Sequence, residues 1–341
     1  MSHYPEHDFL LVLPHLQIQN ANAVSSPLTH GFPSITAFLG LMWALERKVR
    51  EQGLALSFKA IGVVCHDHQE QSTQSGFVGS FCLTRNPIDK DGSTAAIVEE
   101  GRIHLEISLV LAVDCPRWLS DPDERKQDAE QIAQLLTNMR IAGGTLLPPY
   151  RPSAKRHQAY VVDLSGNEEE LGRQFSQTRM RLLPGYALVA RDDLLTSRLA
   201  ELQTTQPNAT RLDAWLSLSR INWHYAETEL PSEGTVTAKA PKSEWQHDRK
   251  DLGWIVPIPV GYGALGETHP PGSVANTRDS DMPFCFVESL YSVGEWLSPH
   301  RLNTPQELLW YVDSQPDNGL YRCRNDYRLA HDSLNLQYDF D

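Results

Sequence analysis

The segment Arg102 to Val113 constrains the fold most. Ile103, Leu105, Ile107, Leu109, Leu111 and Val113 alternate with a second set that begins Arg102, His104, Glu106 and Ser108. Successive side chains of a strand point to opposite faces, so this period of two commits the segment to a strand with one covered face. Such a strand needs neighbours. Phe9-Leu10-Leu11-Val12-Leu13 is a continuous apolar run that passes into alternation at Leu16 and Ile18. It reads as a strand buried first and half-exposed later. Leu54 to Cys65 is a further apolar strand region. Between the two, Ser34 offers a helix N-cap, and Ile35, Phe38, Leu39, Met42 and Val49 follow at helical spacing until Gly53. The opening is therefore β-α-β.

A second such unit follows. Asp121-Pro122-Asp123-Glu124 predicts a helix start, with Asp capping, Pro at the first helical position and Glu reaching back. Ala129, Ile132, Ala133, Leu136 and Met139 form its apolar stripe, and Gly143-Gly144 is expected to end it. A strand at Ala159 to Leu164 completes the unit. This order is that of an α+β, ferredoxin-like (RNA-recognition-motif-like) split βαβ. His66 to Gly101, rich in Gly, Ser, Thr, Asn and Gln, reads as an insertion or extended hairpin projecting from the core. Beyond it lie a strand at Tyr186 to Ala190, helices at Asp192 to Leu202 and Arg211 to Arg220, and an aperiodic polar linker at Glu227 to Lys250. A compact C-terminal part covers Phe284 to Arg301 and Thr304 to Val312, with Thr304 and Glu307 as a capping box. The expected division is a core over 8–190 carrying the insertion 66–101, and a helical and strand extension over 191–341 with the flexible linker 227–250.

Charge narrows the function. The 341 residues carry 30 Lys+Arg against 43 Asp+Glu, a net charge of −13. That excess weighs against indiscriminate binding to nucleic acid. It is unevenly spread. Residues 201–341 hold 11 basic and 20 acidic side chains, while residues 101–200 hold 13 of each. Arg140, Arg151, Lys155, Arg156, Arg173, Arg179 and Arg181 lie together against four acidic residues. Such a stretch is either a solvated face or a local anion-binding face, and Arg suits bidentate phosphate contacts. No apolar run approaches the ~18–20 residues that cross a bilayer, so no membrane is expected. Met1 to Asp8 is polar and acidic, unlike a signal peptide. Five Cys, odd and sparse, suit reduced thiols in the cytoplasm.

Few motifs carry chemistry. Cys65-His66-Asp67-His68 has no second Cys/His pair at zinc spacing, so no metal and no cofactor are expected. There is no Gly-x-Ser-x-Gly, P-loop or Gly-x-Gly-x-x-Gly. Gly261-Tyr262-Gly263 reads as a close backbone approach, to the sheet or to RNA phosphate. His30, His104 and His300 have no recognisable nucleophile beside them. Asn20-Ala21-Asn22-Ala23 with Ser25-Ser26 is ordinary turn chemistry, or a strand end whose amides and hydroxyls read base edges. Thr84-Arg85-Asn86-Pro87 poses the same choice between polar loop and ligand clamp.

Several segments together resemble one family. They are Ile18 to Ser34, Leu83 to Pro87, Asp91 to Arg102, Met139 to Gly144, Arg181 to Gly185 and Gly294 to Arg301. In this order they resemble the second Csy protein (Csy two), the Cas-five-type subunit of the type I-F CRISPR surveillance complex. The resemblance implies a ferredoxin-like domain with a thumb-like insertion, here His66 to Gly101. It implies a non-catalytic subunit that holds the 5′ handle of the CRISPR RNA. Its implied protein partners are the large subunit (the first Csy protein) and a backbone subunit (the third Csy protein). Target DNA is met through the assembled complex. The candidate RNA-binding residues are Asn20, Asn22, Ser25, Ser26, His30, Arg85, Asn86, Arg102, Arg140, Gly143, Gly144, Arg179, Arg181 and Arg301. Two other classes stay open: a metal-independent endoribonuclease with His30 as its acid or base, and a protein-only scaffold docking through the acidic C-terminal third.

Overall fold

The computed structural model describes residues 4–85, 88, 91–149, 154–227, 243–250 and 252–327. Asn86 and Arg151 fall outside them. The first strands are β1 (Phe9–Asn22), β2 (Val24–Ser26) and β3 (Thr29–His30), followed by helix α1 (Ile35–Glu51) and β4 (Ser57–Glu70). Four short strands come next: β5 (Ser72–Ser75), β6 (Val78–Phe81), β7 (Leu83–Arg85) and β8 (Ile97–Glu99). The middle of the chain holds β9 (Arg102–Asp114), α2 (Pro116–Ser120), α3 (Glu124–Leu136), β10 (Arg140–Ile141), β11 (Gly144–Leu147), β12 (Tyr160–Asp163), α4 (Glu168–Arg181) and β13 (Tyr186–Ala190). Then come α5 (Asp192–Thr205), α6 (Arg211–Leu218), β14 (Trp223–Glu227), β15 (Ser243–His247), β16 (Ile255–Ala264), β17 (Val287–Leu297), α7 (Pro305–Leu308), β18 (Trp310–Gln315) and β19 (Leu320–Asn325).

Among the described residues, eleven strands form one large antiparallel sheet in a mixed α+β fold. β9 runs between β1 and β4 along their lengths. The other edge of β1 is shared: β12 pairs its start, Val12 opposite Tyr160, and β11 pairs its end, Gln19 opposite Thr145. From β4 the sheet continues through β13, β17, β16, β19 and β18, and β18 returns to β4 with Trp310 opposite Ile61. β5–β6 and β7–β8 are hairpins between β4 and β9.

Three apolar clusters hold the layers. The first lies under α1 and α3, where Phe38, Met42, Leu45, Ile132 and Leu136 pack on Leu11, Leu109, Leu111 and Trp310. The second covers the opposite face: Phe175 of α4, Leu182 at its C-cap and Leu308 of α7 pack on Leu10, Val12, Val110 and Ala112. The third joins α5 and α6 to β16 and β17 through Leu195, Trp215, Ile255 and Val293. Burying a large aliphatic or aromatic side chain contributes about 1.5–3 kcal/mol, so these clusters dominate the stability.

The predicted elements hold with some corrections. Ser34 caps α1, its hydroxyl accepting from the Thr36 N–H. The helix expected from Asp121 starts at Glu124; Asp123 is its N-cap but makes no side-chain cap bond, and Asp121 instead accepts from the Asp123 N–H. Gly143-Gly144 does not stop that helix, which ends at Leu136; Gly143 with Ala142 turns the β10–β11 hairpin, and Gly144 opens β11. The Thr304 and Glu307 box is not built either, because the Glu307 carboxylate accepts from the Asn303 N–H instead. Helix α4 was not foreseen, although Asn167 and Glu170 form a capping box at its start. The segment expected as a linker is framed by the β14–β15 hairpin; residues 228–242 lie outside the described residues.

Candidate nucleic-acid interface

The three central strands are longer than the layer that covers their second face. Leu10, Val12, Val110 and Ala112 are sandwiched between the sheet and the second cluster. Further along, the strands keep only their first cover. Ile18, Ile103 and Leu105 stay in the α1 cluster, while Gln19, Asp67, His68 and Gln69 are exposed and Arg102, His104 and Glu106 half-buried. The alternation in β9 thus belongs to its first half alone. A shallow depression of about 230 Å³ lies on this open end, lined among others by Gln17, Gln19, His68, Gln69, His104 and Glu106.

Nine of the candidate residues gather at this end. β1 is bulged twice, between Leu13 and Leu16 and between Ile18 and Ala21. His15 and Asn20 sit in those bulges with φ of 52° and 57°. Short polar residues tolerate that conformation, and bulges re-aim side chains. The Asn20 N–H donates to His104 Nδ1 at 3.1 Å, and its side chain is exposed. Asn22 stands opposite Arg102 in the register, and its N–H donates to the Ala142 carbonyl at 2.8 Å. That bond brings in the β10–β11 turn, where Ala142 and Gly143 have φ of 47° and 80°. Gly144 is required there: a Cβ would lie 2.8 Å from the Ala21 nitrogen. Arg140 beside it is exposed and has no ion pair among the described residues.

Some of the nine are already engaged. The Asn22 amide closes its own turn, donating to the Val24 carbonyl at 2.9 Å and accepting from the Val24 N–H at 3.1 Å. Ser25 and Ser26 hydroxyls both meet Thr29 Oγ1, at 2.8 and 2.6 Å. His30 Nδ1 meets Glu70 at 2.8 Å with its ring edge-on to Phe81. Arg102 is bound to Glu100 at 2.7 Å, and Glu100 also accepts from Thr84. This ties the β7 hairpin, with exposed Arg85 at its end, to the same sheet end.

Arg179, Arg181 and Arg301 lie elsewhere. The Arg179 guanidinium donates to the Leu302 carbonyl and so fastens α4 to the turn Pro299–Arg301. Arg301 is exposed on that turn. Arg181 lies over the Tyr160 ring at 5.1 Å, beside the start of β1. Proximity in sequence hid this: Arg179 and Arg181 are two residues apart on α4, which sets them on different faces and different partners.

Sequence reasoning missed the histidines between the two regions. His15 stacks on His66 at 4.2 Å and meets His157 edge-on at 5.8 Å. His15 Nδ1 lies 2.6 Å from Glu106, which also accepts from Arg156 at 3.1 Å. His66 Nδ1 donates to the Pro184 carbonyl at 2.6 Å, and its Nε2 meets the buried Ser108 hydroxyl at 2.6 Å. Burial is the main cause that pushes the His66 pKa below its ordinary value. The two nitrogens of His66 therefore serve tertiary contacts. Among the described residues no group of three or more His, Cys, Asp or Glu side chains is arranged to hold a metal ion.

Comparison with known proteins assigns the class. The family model described as CRISPR-associated protein (Cas_Csy2) matches residues 11–323. The chain belongs to the Csy2 family of CRISPR-associated proteins. It is 46% identical over 317 residues to the CRISPR-associated protein Csy2 of Pseudomonas aeruginosa (strain UCBPP-PA14), covering 92% of this chain and 94% of the relative. No helix among the described residues is long and apolar enough to cross a membrane.

Proposed function

We propose that the chain is a non-catalytic, cytoplasmic subunit of the type I-F CRISPR surveillance complex that holds the 5′ handle of the CRISPR RNA. The observation that carries this reading is the open sheet end, where Gln17, Gln19, Gln69 and His104 offer uncharged donors and acceptors beside Asp67 and Glu106, with exposed Asn20 on β1 and exposed Arg140 two strands across from Gln19. Single-stranded RNA is read by groups of this kind, which bond to base edges while a few cations meet phosphates. The spatial order β12–β1–β9–β4, with α1 and α3 on one face, supports a ferredoxin-like core over 8–190. The two hairpins between β4 and β9 support a thumb over 66–101, with 191–341 as an extension packed on the core. In this reading the large subunit and a backbone subunit flank the chain, and target DNA is met through the assembly.

The test uses the assembled complex and handle RNA. Asn20→Asp keeps the left-handed backbone but sets a negative charge where a base or phosphate would lie. Affinity falls about tenfold or more, the scale of one hydrogen bond lost at about 1.4 kcal/mol. Arg140→Ala lowers the salt slope by about 0.7, the increment for one single-strand phosphate. Unchanged affinity in both variants, with no ultraviolet cross-link from this chain to the handle, leaves a protein-only scaffold.

A further inference from the structure

A cavity of about 610 Å³ opens beside the start of β1, and its lining includes Arg125, Lys126, Lys155, Arg156 and Arg181, with no carboxylate among the lining residues. These five cations come from α3, the turn Lys155–His157 and the end of α4. Their placement is held by specific bonds. Arg125 donates to the Trp118 carbonyl at 2.6 and 2.9 Å and to Asp163 at 2.9 Å, with its guanidinium over the Phe9 ring. Arg181 rests on the Tyr160 ring, 5.1 Å from its centroid. Arg156 reaches Glu106 through one terminal nitrogen and is 60% exposed. Lys155 has no ion pair among the described residues. Lys126 is paired only at 4.0 Å with Glu130.

Five cations against the three carboxylates Glu106, Glu130 and Asp163 make a local positive field on a chain of net charge −13. Gathering like charges costs stability, and an anionic ligand offsets that cost. The cavity has the size of a small-ligand site, yet the polar groups that line it are dominated by cations. That composition suits backbone phosphates better than base edges. We propose that this cavity is a second nucleic-acid contact, taking successive phosphodiester groups of a strand. Pro14 lines this cavity and Gln17, three residues on, lines the depression at the open sheet end, and Arg156 of the cavity meets Glu106 of the depression at 3.1 Å. The cavity thus adjoins the open sheet end but carries its own cluster of cations, set beside the amides and imidazole of that end.

The experiment compares the full-length protein with Lys155→Ala/Arg181→Ala, using fluorescent oligouridylate and oligothymidylate of equal length across a salt series. The double variant is expected to bind more weakly, its log–log salt slope falling by about 1.4, two single-strand phosphate contacts. A loss for RNA alone, DNA alone or both supports the site and names its strand. Unchanged affinity and slope for both probes overturns it. So does an equal loss in Arg211→Ala, a distant exposed cation on α6 that reports bulk charge alone. Lys155→Arg/Arg181→Lys, which keeps the charges, retains the slope if the site is electrostatic; loss of binding there with an unchanged melting temperature overturns that account. Asn20→Asp and Arg140→Ala leave the slope change of the double variant intact, so failure of the handle reading is distinguishable.

Discussion

The surroundings of His66 hold its pKa below the ordinary histidine value. The Pro184 carbonyl only accepts, so Nδ1 must donate, and the Ser108 hydroxyl occupies Nε2. Burial is the largest cause of its lowered pKa; the Pro184 carbonyl opposes it, while His15 and Arg156 add to it. His157 shifts the same way, again chiefly through burial. The native state therefore binds fewer protons than the unfolded chain near the ordinary histidine value of 6.5. Stability contributed by His66 is complete above that value and falls as pH drops below it. We expect the denaturant midpoint to decrease between about pH 7.5 and about pH 5.5. His66→Gln flattens part of that decrease, the rest belonging to His157 and to His7, which burial also lowers. A pH profile identical in His66→Gln and the parent chain removes His66 from the explanation.

At the scale of elements, β16 depends on one backbone position. Gly261 has φ of 150° at the bulge after Pro259, and a Cβ there would lie 2.0 Å from the Tyr321 carbonyl oxygen. The close backbone approach read from Gly261-Tyr262-Gly263 is thus to the sheet. Gly261→Ala is expected to cost about 3 kcal/mol, since β19 must move away or the bulge must flatten. Equilibrium denaturation measures this; an unchanged midpoint means that β19 does not lie against Gly261. Elements set by local signals were legible: Ser34 and its apolar stripe gave α1, and alternation gave the open half of β9. The strand was legible to Val113, but the cover on the second face of its later half was not, because Phe175 and Leu308, which supply it, come from far later in the chain. Helix α3 starts late because α2 precedes it, and Asp128 is drawn inward to bond the Trp118 indole at 2.7 Å. The strand-end cluster was readable as turn and amide chemistry. That Arg179 serves Leu302 while Arg181 faces a cavity follows only from where α4 packs.

The whole molecule is closed by its last strands. β18 pairs with β4, and the ring of pairings β4–β13–β17–β16–β19–β18 surrounds part of the α1 cluster. Trp310 is fully buried there and donates to the Leu188 carbonyl at 2.7 Å. Arg191, between β13 and α5, forms a buried ion pair with Glu295 of β17 in the same ring. A chain ending before Trp310 loses that closure. In hydrogen exchange, such a truncation is expected to lose protection over α1, not only near its new end. Full protection of α1 in the truncated chain means that the core closes without β18.

That closure also governs how the protein is made. Ile61 leaves the ribosome 249 residues ahead of Trp310, its partner in the register (310 minus 61). At about 5–20 residues per second, this leaves an interval on the order of tens of seconds. Throughout it, the nascent chain carries an apolar helix face without its final cover. Yield in the cell is then expected to rise with whatever shields that interval, whether a chaperone or cold growth, even where the finished fold is unchanged.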